Sequence, residues 1–357
     1  MARFQPVACG FVVAALLTLG LAATAWPATP KGALGAIAVS PDGNAIVAAG
    51  DNQVLYLIEP DTLEVRQRVH VGTTPLKLWY SADGATLAML TTDDDILFFE
   101  TGSWSEQGTV KDVFVVAHAA AADALVVLGR PSKSQDGSYI TQLQVLPLSG
   151  AAPLLQANVA GDVAAIAAKP DASAFILMTK QTKDESETKQ EPPADLKGLD
   201  KEIFRLQHDQ QASQVIVLDA TGAEIGRQPS WYSQSGDLVG IYADGAIHFL
   251  GYGNKNATFA PDGTLVAVFA APGSFNYGVG TDAAQMRAAV GSLRQGALVD
   301  LASGAGASFE IEALRGWPEY FKDFAFAPDG TVWAGTTSYR LVHIGADGTV
   351  IDAQPIF

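Results

Sequence analysis

Short apolar runs of four to six residues recur along this chain, each set off by turn-forming residues. Ala36-Ile37-Ala38-Val39, Ala45-Ile46-Val47-Ala48 and Val54-Leu55-Tyr56-Leu57-Ile58 follow one another in this way. Val65, Val69 and Val71 then alternate with Arg66, Arg68 and His70. A near-continuous apolar run suits a strand covered on both faces, and strict alternation suits a strand with one face in water. The pattern predicts a four-stranded antiparallel unit with its inner strand first and a solvated outer strand last.

The turn between the first two strands repeats. It reads Ser40-Pro41-Asp42-Gly43, then Ser81-Ala82-Asp83-Gly84, and later Ala260-Pro261-Asp262-Gly263 and Ala327-Pro328-Asp329-Gly330. Degenerate copies stand at Ala122-Asp123-Ala124 and Lys169-Pro170-Asp171-Ala172. Asp42 and Asp83 are 41 residues apart, and Asp83 and Asp123 are 40 apart. A period of about 40 residues with turn chemistry at constant phase is the signature of a β-propeller blade. The fold expected is an all-β propeller of seven blades, six and eight remaining open, with two short helical insertions.

The other blades are assigned at the same phase. Blade two takes 76–80, 86–90 and 96–100. Blade three takes 113–117, 125–129, 143–146 and 154–159. Blade four takes 163–167, 175–178 and 215–219. Residues 231–254 supply a short fifth blade around 238–242 and 247–252. Blade six takes 258–260, 265–269, 297–300 and 309–313, and blade seven runs from 324 to the end. The last blade holds four strands of its own, so closure of the ring needs no borrowed strand.

Val39-Ser40-Pro41-Asp42-Gly43, Leu57-Ile58-Glu59-Pro60-Asp61-Thr62 and Val69-His70-Val71-Gly72-Thr73-Thr74-Pro75 together resemble one repeat of the YVTN-type β-propeller family. Glu59-Pro60 interrupts the family's isoleucine–aspartate–threonine corner, and Ile46-Val47-Ala48-Ala49 replaces the eponymous tetrapeptide. The match is good over the first two blades and fades afterwards. The resemblance implies a propeller of the kind common in bacterial export and surface proteins. Its relatives include lactonases and the heavy subunits of quinone-bearing amine dehydrogenases. No residue pattern carries a catalytic site over from either.

Three segments break the compact plan, 131–142 in blade three, 181–214 in blade four and 272–296 in blade six. Each is expected between second and third strands, and therefore on one face, opposite the Pro-Asp-Gly turns. In 181–214, Leu196, Leu199, Ile203 and Leu206 recur at helical spacing after the charge run Lys183-Asp184-Glu185-Ser186-Glu187. In 272–296, Thr281 and Asp282 suit a helix start. Met286, Val290 and Leu293 give that helix an apolar side.

Composition narrows the setting. Residues 1–25 read as a secretory signal: Arg3, an apolar stretch over 12–21, then Ala23-Thr24-Ala25 as the cleavage site. An uncleaved anchor is the alternative. Residues 26–357 are then one propeller domain. Cys9 is the only cysteine, so the mature chain has no disulfide or thiol chemistry, and the periplasm is the expected compartment. The formal charge of −16 repels nucleic acid and anionic lipid. It suits solubility, a basic partner or a cationic ligand. No membrane span remains after cleavage.

Candidate chemistry is sparse. Asp93-Asp94-Asp95 invites a calcium reading, but no Asp-x-Asp-x-Asp-Gly spacing accompanies it. The five histidines, His70, His118, His208, His248 and His343, show no zinc spacing. Only His118, after an inner strand, is placed to approach a channel, and a hydrogen-bonded structural role is its plainer reading. There is no Cys-x-x-Cys-His, no Gly-x-Ser-x-Gly elbow and no phosphate loop. Asn256-Ala257-Thr258 matches a glycan acceptor that would be idle in a bacterium.

These observations assign no catalytic residue, metal or cofactor. Asp93, Asp94, Asp95, Arg130, Phe275 and Tyr277 form the candidate ligand or partner face. The leading expectation is a non-enzymatic periplasmic scaffold that binds another periplasmic protein or a small ligand. The rivals are a lactonase-like hydrolase with a metal in the channel, a heavy-subunit-like scaffold for a redox partner, and a receptor for a small cation.

Overall fold

The computed structural model describes residues 32–150, 152–179, 182–183, 191–198, 200–201, 204, 211–230, 239–243, 246–250, 256–260, 265–269, 278–303, 305–314 and 318–356. The fold is all-β and β-propeller-like. The described residues form seven antiparallel sheets, each built from consecutive strands. Sheet one holds β1 (Leu34–Val39), β2 (Ile46–Gly50), β3 (Val54–Ile58) and β4 (Val65–His70). Sheet two holds β5 (Pro75–Tyr80), β6 (Thr86–Thr91), β7 (Ile96–Glu100) and β8 (Ser105–Val110). Sheet three has five strands, β9 (Val113–Ala119), β10 (Ala124–Gly129), the short β11 (Ser132–Lys133), β12 (Tyr139–Pro147) and β13 (Leu155–Ala160). Sheet four also has five, β14 (Val163–Ala168), β15 (Ala174–Thr179), the short β16 (Thr182–Lys183), β17 (Gln211–Asp219) and β18 (Glu224–Ser230).

Sheet five holds β19 (Val239–Ala243), β20 (Ala246–Leu250), β21 (Asn256–Phe259) and β22 (Leu265–Phe269). Sheet six holds β23 (Gly278–Thr281), β24 (Arg287–Gly291), β25 (Gln295–Asp300) and β26 (Gly306–Glu310). Sheet seven holds β27 (Phe321–Phe326), β28 (Val332–Thr336), β29 (Arg340–Ile344) and β30 (Val350–Pro355).

Burial follows the hydrophobic pattern within each unit. Every residue of β2 is buried, whereas β4 exposes Arg66, Gln67, Arg68 and His70. The core lies between neighbouring sheets. Ile37, Ile46 and Ile58 of sheet one share a cluster with Trp333, Tyr339 and Leu341 of sheet seven. Ala36, Val47 and Leu55 of sheet one pack with Leu78, Leu87 and Phe99 of sheet two. Sheets two and three meet through Ala88, Phe98, Val113 and Leu125, and sheets three and four through Val126, Leu143, Ile166 and Phe175. Sealing a side chain such as Phe175 or Leu55 from water contributes about 1.5–3 kcal/mol. The first strand of sheet one contacts the first strands of both sheet two and sheet seven.

The first strands share an irregularity. In β1, β5, β9, β14 and β27 one residue near the start drops out of register with the second strand: Gly35, Leu76, Phe114, Ala164 and Lys322. Such a bulge bends a strand and re-aims the side chain that follows.

Alternation of strand direction gives each sheet two ends. At the turn end, the residue in left-handed conformation is Gly43, Gly84, Asp123, Ala172, Gln285 or Gly330 in sheets one, two, three, four, six and seven. Each closes the same turn by donating its amide to the carbonyl three residues earlier, as Gly43 does to Ser40 at 2.9 Å. The turns also touch. A β-carbon built on Gly84 would stand 3.6 Å from Pro41 Cδ, and one on Gly43 would stand 3.6 Å from Pro328 Cδ. Asp123 Oδ1 accepts the Ala82 amide at 2.7 Å, and the Ala122 amide donates to the Pro170 carbonyl at 2.9 Å.

Three expectations change. First, Asp123 occupies the glycine position of its turn and not the aspartate position. Second, Ala260-Pro261-Asp262-Gly263 lies between the third and fourth strands of sheet five, so residues 256–269 complete that sheet and do not open sheet six. Third, residues 278–296 are not a helical insertion. Residues 278–281 and 287–291 are the first two strands of sheet six, and Asp282 Oδ1 accepts the Met286 and Arg287 amides in the turn between them. The segments at 131–142 and 181–214 lie between second and third strands, and both add short strands. The helical stripe rests on Leu199, Ile203 and Leu206, which fall outside the described residues. The described residues Gly198, Asp200, Lys201 and Phe204 of that segment are helical, and a 3₁₀ turn stands at Ala120–Ala122.

Candidate functional site

The end opposite the turns carries the loops between second and third strands and the crossovers between sheets. These two kinds of connection are bonded to each other. The Thr92 amide donates to the Thr74 carbonyl at 3.0 Å, and the Val113 amide to the Asp94 carbonyl at 2.7 Å.

Asp93, Asp94 and Asp95 form the tight loop between β6 and β7. Thr91 Oγ1 accepts the amides of Asp93 at 3.2 Å and Asp95 at 3.3 Å, and Asp94 is left-handed with φ 61°. This backbone sends the three carboxylates apart. Thr73 Oγ1 donates to Asp93 at 2.6 Å, Arg130 pairs with Asp94, and Lys111 Nζ stands 3.9 Å from Asp95. Arg130 also lies over the Phe114 ring at 5.8 Å. Of the six residues expected at the site, Arg130 and Asp94 are therefore brought into contact. Phe275 and Tyr277 lie outside the described residues. The described residues contain no cluster of three His, Cys, Asp or Glu side chains able to hold a metal.

Arg130 borders a groove of about 500 Å³ between sheets two and three. Val110, Lys111 and Asp112 form one side. Ile140, Gln142 and Gln144 of β12, with Asn158 of β13, form the other. Beyond the groove, β12 overhangs β10 and pairs with β11, placing Ser132 opposite Ile140 and Lys133 opposite Tyr139. Tyr139 and Ile140 stay exposed at the tip of this ribbon. In sheet four, β17 overhangs β15 at the same end and pairs with β16. Arg227 of β18 links sheet four to sheet three by donating to the Ala160 carbonyl of β13 at 3.2 Å.

Three polar constellations inside the fold escaped the sequence reading. Lys77 of β5 pairs with the buried Asp323 of β27 and donates to the Val279 carbonyl of β23 at 2.9 Å. The other oxygen of Asp323 accepts the Ile37 amide of β1 at 2.9 Å. Burial pushes the Asp323 carboxyl above the ordinary carboxylate value, against the pull of the Lys77 ammonium and the neighbouring amides.

Glu319 and Arg340 form a second buried pair, with guanidinium contacts of 2.9 and 2.6 Å. Thr336 Oγ1 donates to Glu319 at 2.6 Å, and the Glu312 carbonyl takes another guanidinium hydrogen at 2.9 Å.

Third, the buried Gln285 amide donates to the carbonyls of His118 at 3.2 Å and Ala168 at 3.1 Å, linking the turn of sheet six to sheets three and four. His118 is half-buried, and its loss of hydration holds its imidazole down to about 4 and neutral at pH 7. The available signal for the first constellation was a charge inside an apolar first strand, Lys77 before Leu78 and Asp323 before Phe324.

No protein-family model matches the chain, and no curated protein matches it.

Proposed function

We propose that the chain is a closed seven-bladed propeller of the YVTN type, exported to the periplasm by residues 1–25. There it acts as a non-enzymatic scaffold that holds a partner protein on its crossover end. The seven four- and five-stranded sheets support the blade count, and the packing of sheet one on sheet seven supports closure. The observation that carries the functional reading is the unequal treatment of the two ends. The turn end is short and knitted together by contacts between successive turns. The crossover end raises two ribbons from adjoining sheets and leaves Tyr139 and Ile140 in water. Binding residues concentrate on connections held by a rigid scaffold. An exposed aromatic and aliphatic pair beside charged groups has the composition of a docking surface.

Capture from the periplasm of the protein's own cell tests this, with two single variants run beside the natural chain. Tyr139→Glu alters the ribbon tip, and Asp61→Lys alters an exposed turn-end loop. A partner retained at near-stoichiometric level by the natural chain and by Asp61→Lys, and lost by Tyr139→Glu, is the expected result. Retention by Tyr139→Glu with loss by Asp61→Lys places the contact on the wrong end and contradicts the proposal.

A further inference from the structure

The groove between sheets two and three has a specific electrostatic character. Its two cations each face a carboxylate, Arg130 paired with Asp94 and Lys111 Nζ 3.9 Å from Asp95. Its one carboxylate, Asp112, makes no ion pair among the described residues. Gln142, Gln144 and Asn158 add three amide oxygens, each able to accept hydrogen bonds. Gln142 and Asn158 are direct partners across β12 and β13, and Gln144 follows two residues on, so all three stand on one sheet face. Val110 and Ile140 supply aliphatic surface beside them. An unpaired carboxylate, a row of acceptors and an aliphatic wall complement a cation on an apolar stem.

We propose that this groove is a receptor for an arginine side chain presented by a partner. The guanidinium sits against Asp112 and the amide oxygens, with its methylene stem along Val110 and Ile140. A guanidinium offers five donors and no acceptor, which matches a lining that holds one carboxylate and three amide oxygens. The stem gains by lying on apolar surface while the head stays hydrogen-bonded. Long-range attraction works in the same direction, since the chain carries a formal charge of −16. The inference deepens the scaffold reading and rests on it only for the source of the arginine.

The test uses the full chain and two small probes, N-acetyl-arginine methylamide and its neutral isostere N-acetyl-citrulline methylamide, titrated by calorimetry or NMR. The arginine probe binds at the groove, and the citrulline probe binds at least tenfold more weakly. Asp112→Asn weakens the arginine probe about tenfold, the loss expected for one charge-assisted hydrogen bond. This variant keeps the fold, because Asp112 is exposed with φ 60° and asparagine tolerates that left-handed conformation. Asp61→Asn, exposed on the opposite end, leaves binding unchanged.

Equal binding of the two probes, no binding of either, or full binding to Asp112→Asn overturns the proposal. A captured partner that Asp112→Asn still holds overturns the groove while leaving the scaffold reading intact.

Discussion

Lys77 and Asp323 occupy the same position in their respective sheets, one residue past the bulge of the first strand, and they meet as a buried ion pair. The bulges at Leu76 and Lys322 aim these two side chains inward at the same level. With Ile37 and Val279 as further partners, one carboxylate and one ammonium tie together sheets one, two, six and seven. Asp323 is fully enclosed, whereas the Lys77 side chain is 32% exposed. The two partners are therefore unequal. Lys77→Met strands a carboxylate away from water and costs about 3–5 kcal/mol at neutral pH. Asp323→Asn leaves an ammonium that reaches solvent and costs less. Chemical denaturation of both variants checks the order, and the Lys77→Met deficit shrinks on acidification as Asp323 takes up a proton.

The pH dependence of stability has two arms of opposite sign. Hydroxyl donation from Ser40, Ser81, Thr221 and Ser303 holds Asp42, Asp83, Asp219 and Asp300 below the ordinary carboxylate value. A depressed folded value means that their contribution is complete above the unfolded value, about 4, and is lost as pH falls through the folded values. Asp323 is raised, so its contribution is complete below the unfolded value and is lost as pH rises through the folded one. Thermal unfolding from pH 2 to 8 should show both. Ser40→Ala with Ser81→Ala reduces the acid arm, and Asp323→Asn removes its part of the upper arm.

Glu319 and Arg340 form a fork-to-fork pair beneath the crossover into sheet seven, and both are buried. Arg340→Ala leaves the Glu319 carboxylate with only Thr336 and costs about 3–5 kcal/mol. Arg340→Lys recovers little of this, because an ammonium cannot reproduce the two parallel bonds. Urea midpoints of the two variants decide the point.

The turn end gives a backbone prediction. Asp123 takes the left-handed position that glycine holds in three other sheets, and its carboxylate bonds the Ala82 amide. Asp123→Ala keeps a β-carbon in that conformation and removes the bond, a loss of about 1–2 kcal/mol. Asp123→Gly relieves the backbone and so costs less. Comparing the two by thermal unfolding separates backbone strain from the hydrogen bond.

The repeat exposed sheets one and two almost residue by residue, because their turns carry Pro-Asp-Gly or Ala-Asp-Gly between strongly apolar strands. Sheet six was hidden for a physical reason. Its first strand, Gly278-Val279-Gly280-Thr281, is half glycine because sheet seven lies directly on it: a β-carbon on Gly280 would stand 2.2 Å from the Phe324 carbonyl oxygen. Its turn, Asp282-Ala283-Ala284-Gln285, has neither proline nor glycine. The Pro-Asp-Gly at 261–263 then drew the assignment to the wrong pair of strands, since first–second and third–fourth turns share one end and the same chemistry.

At the candidate site, the loop position of Asp93–Asp95 and Arg130 was readable, but the divergence of the carboxylates depends on the left-handed Asp94. The groove joins Asp112 to Gln142 and Asn158, and the Lys77–Asp323 pair joins residues 246 positions apart. Neither kind of long-range meeting leaves a local pattern.

A partner held on the crossover end covers that end and leaves the turns in water. Hydrogen exchange on the captured complex measures this. Protection of 92–95, 110–112 and 130–142, with the turns at 40–43, 81–84 and 327–330 unchanged, is the predicted result. Protection concentrated on those turns, with the crossover end unchanged, would contradict it.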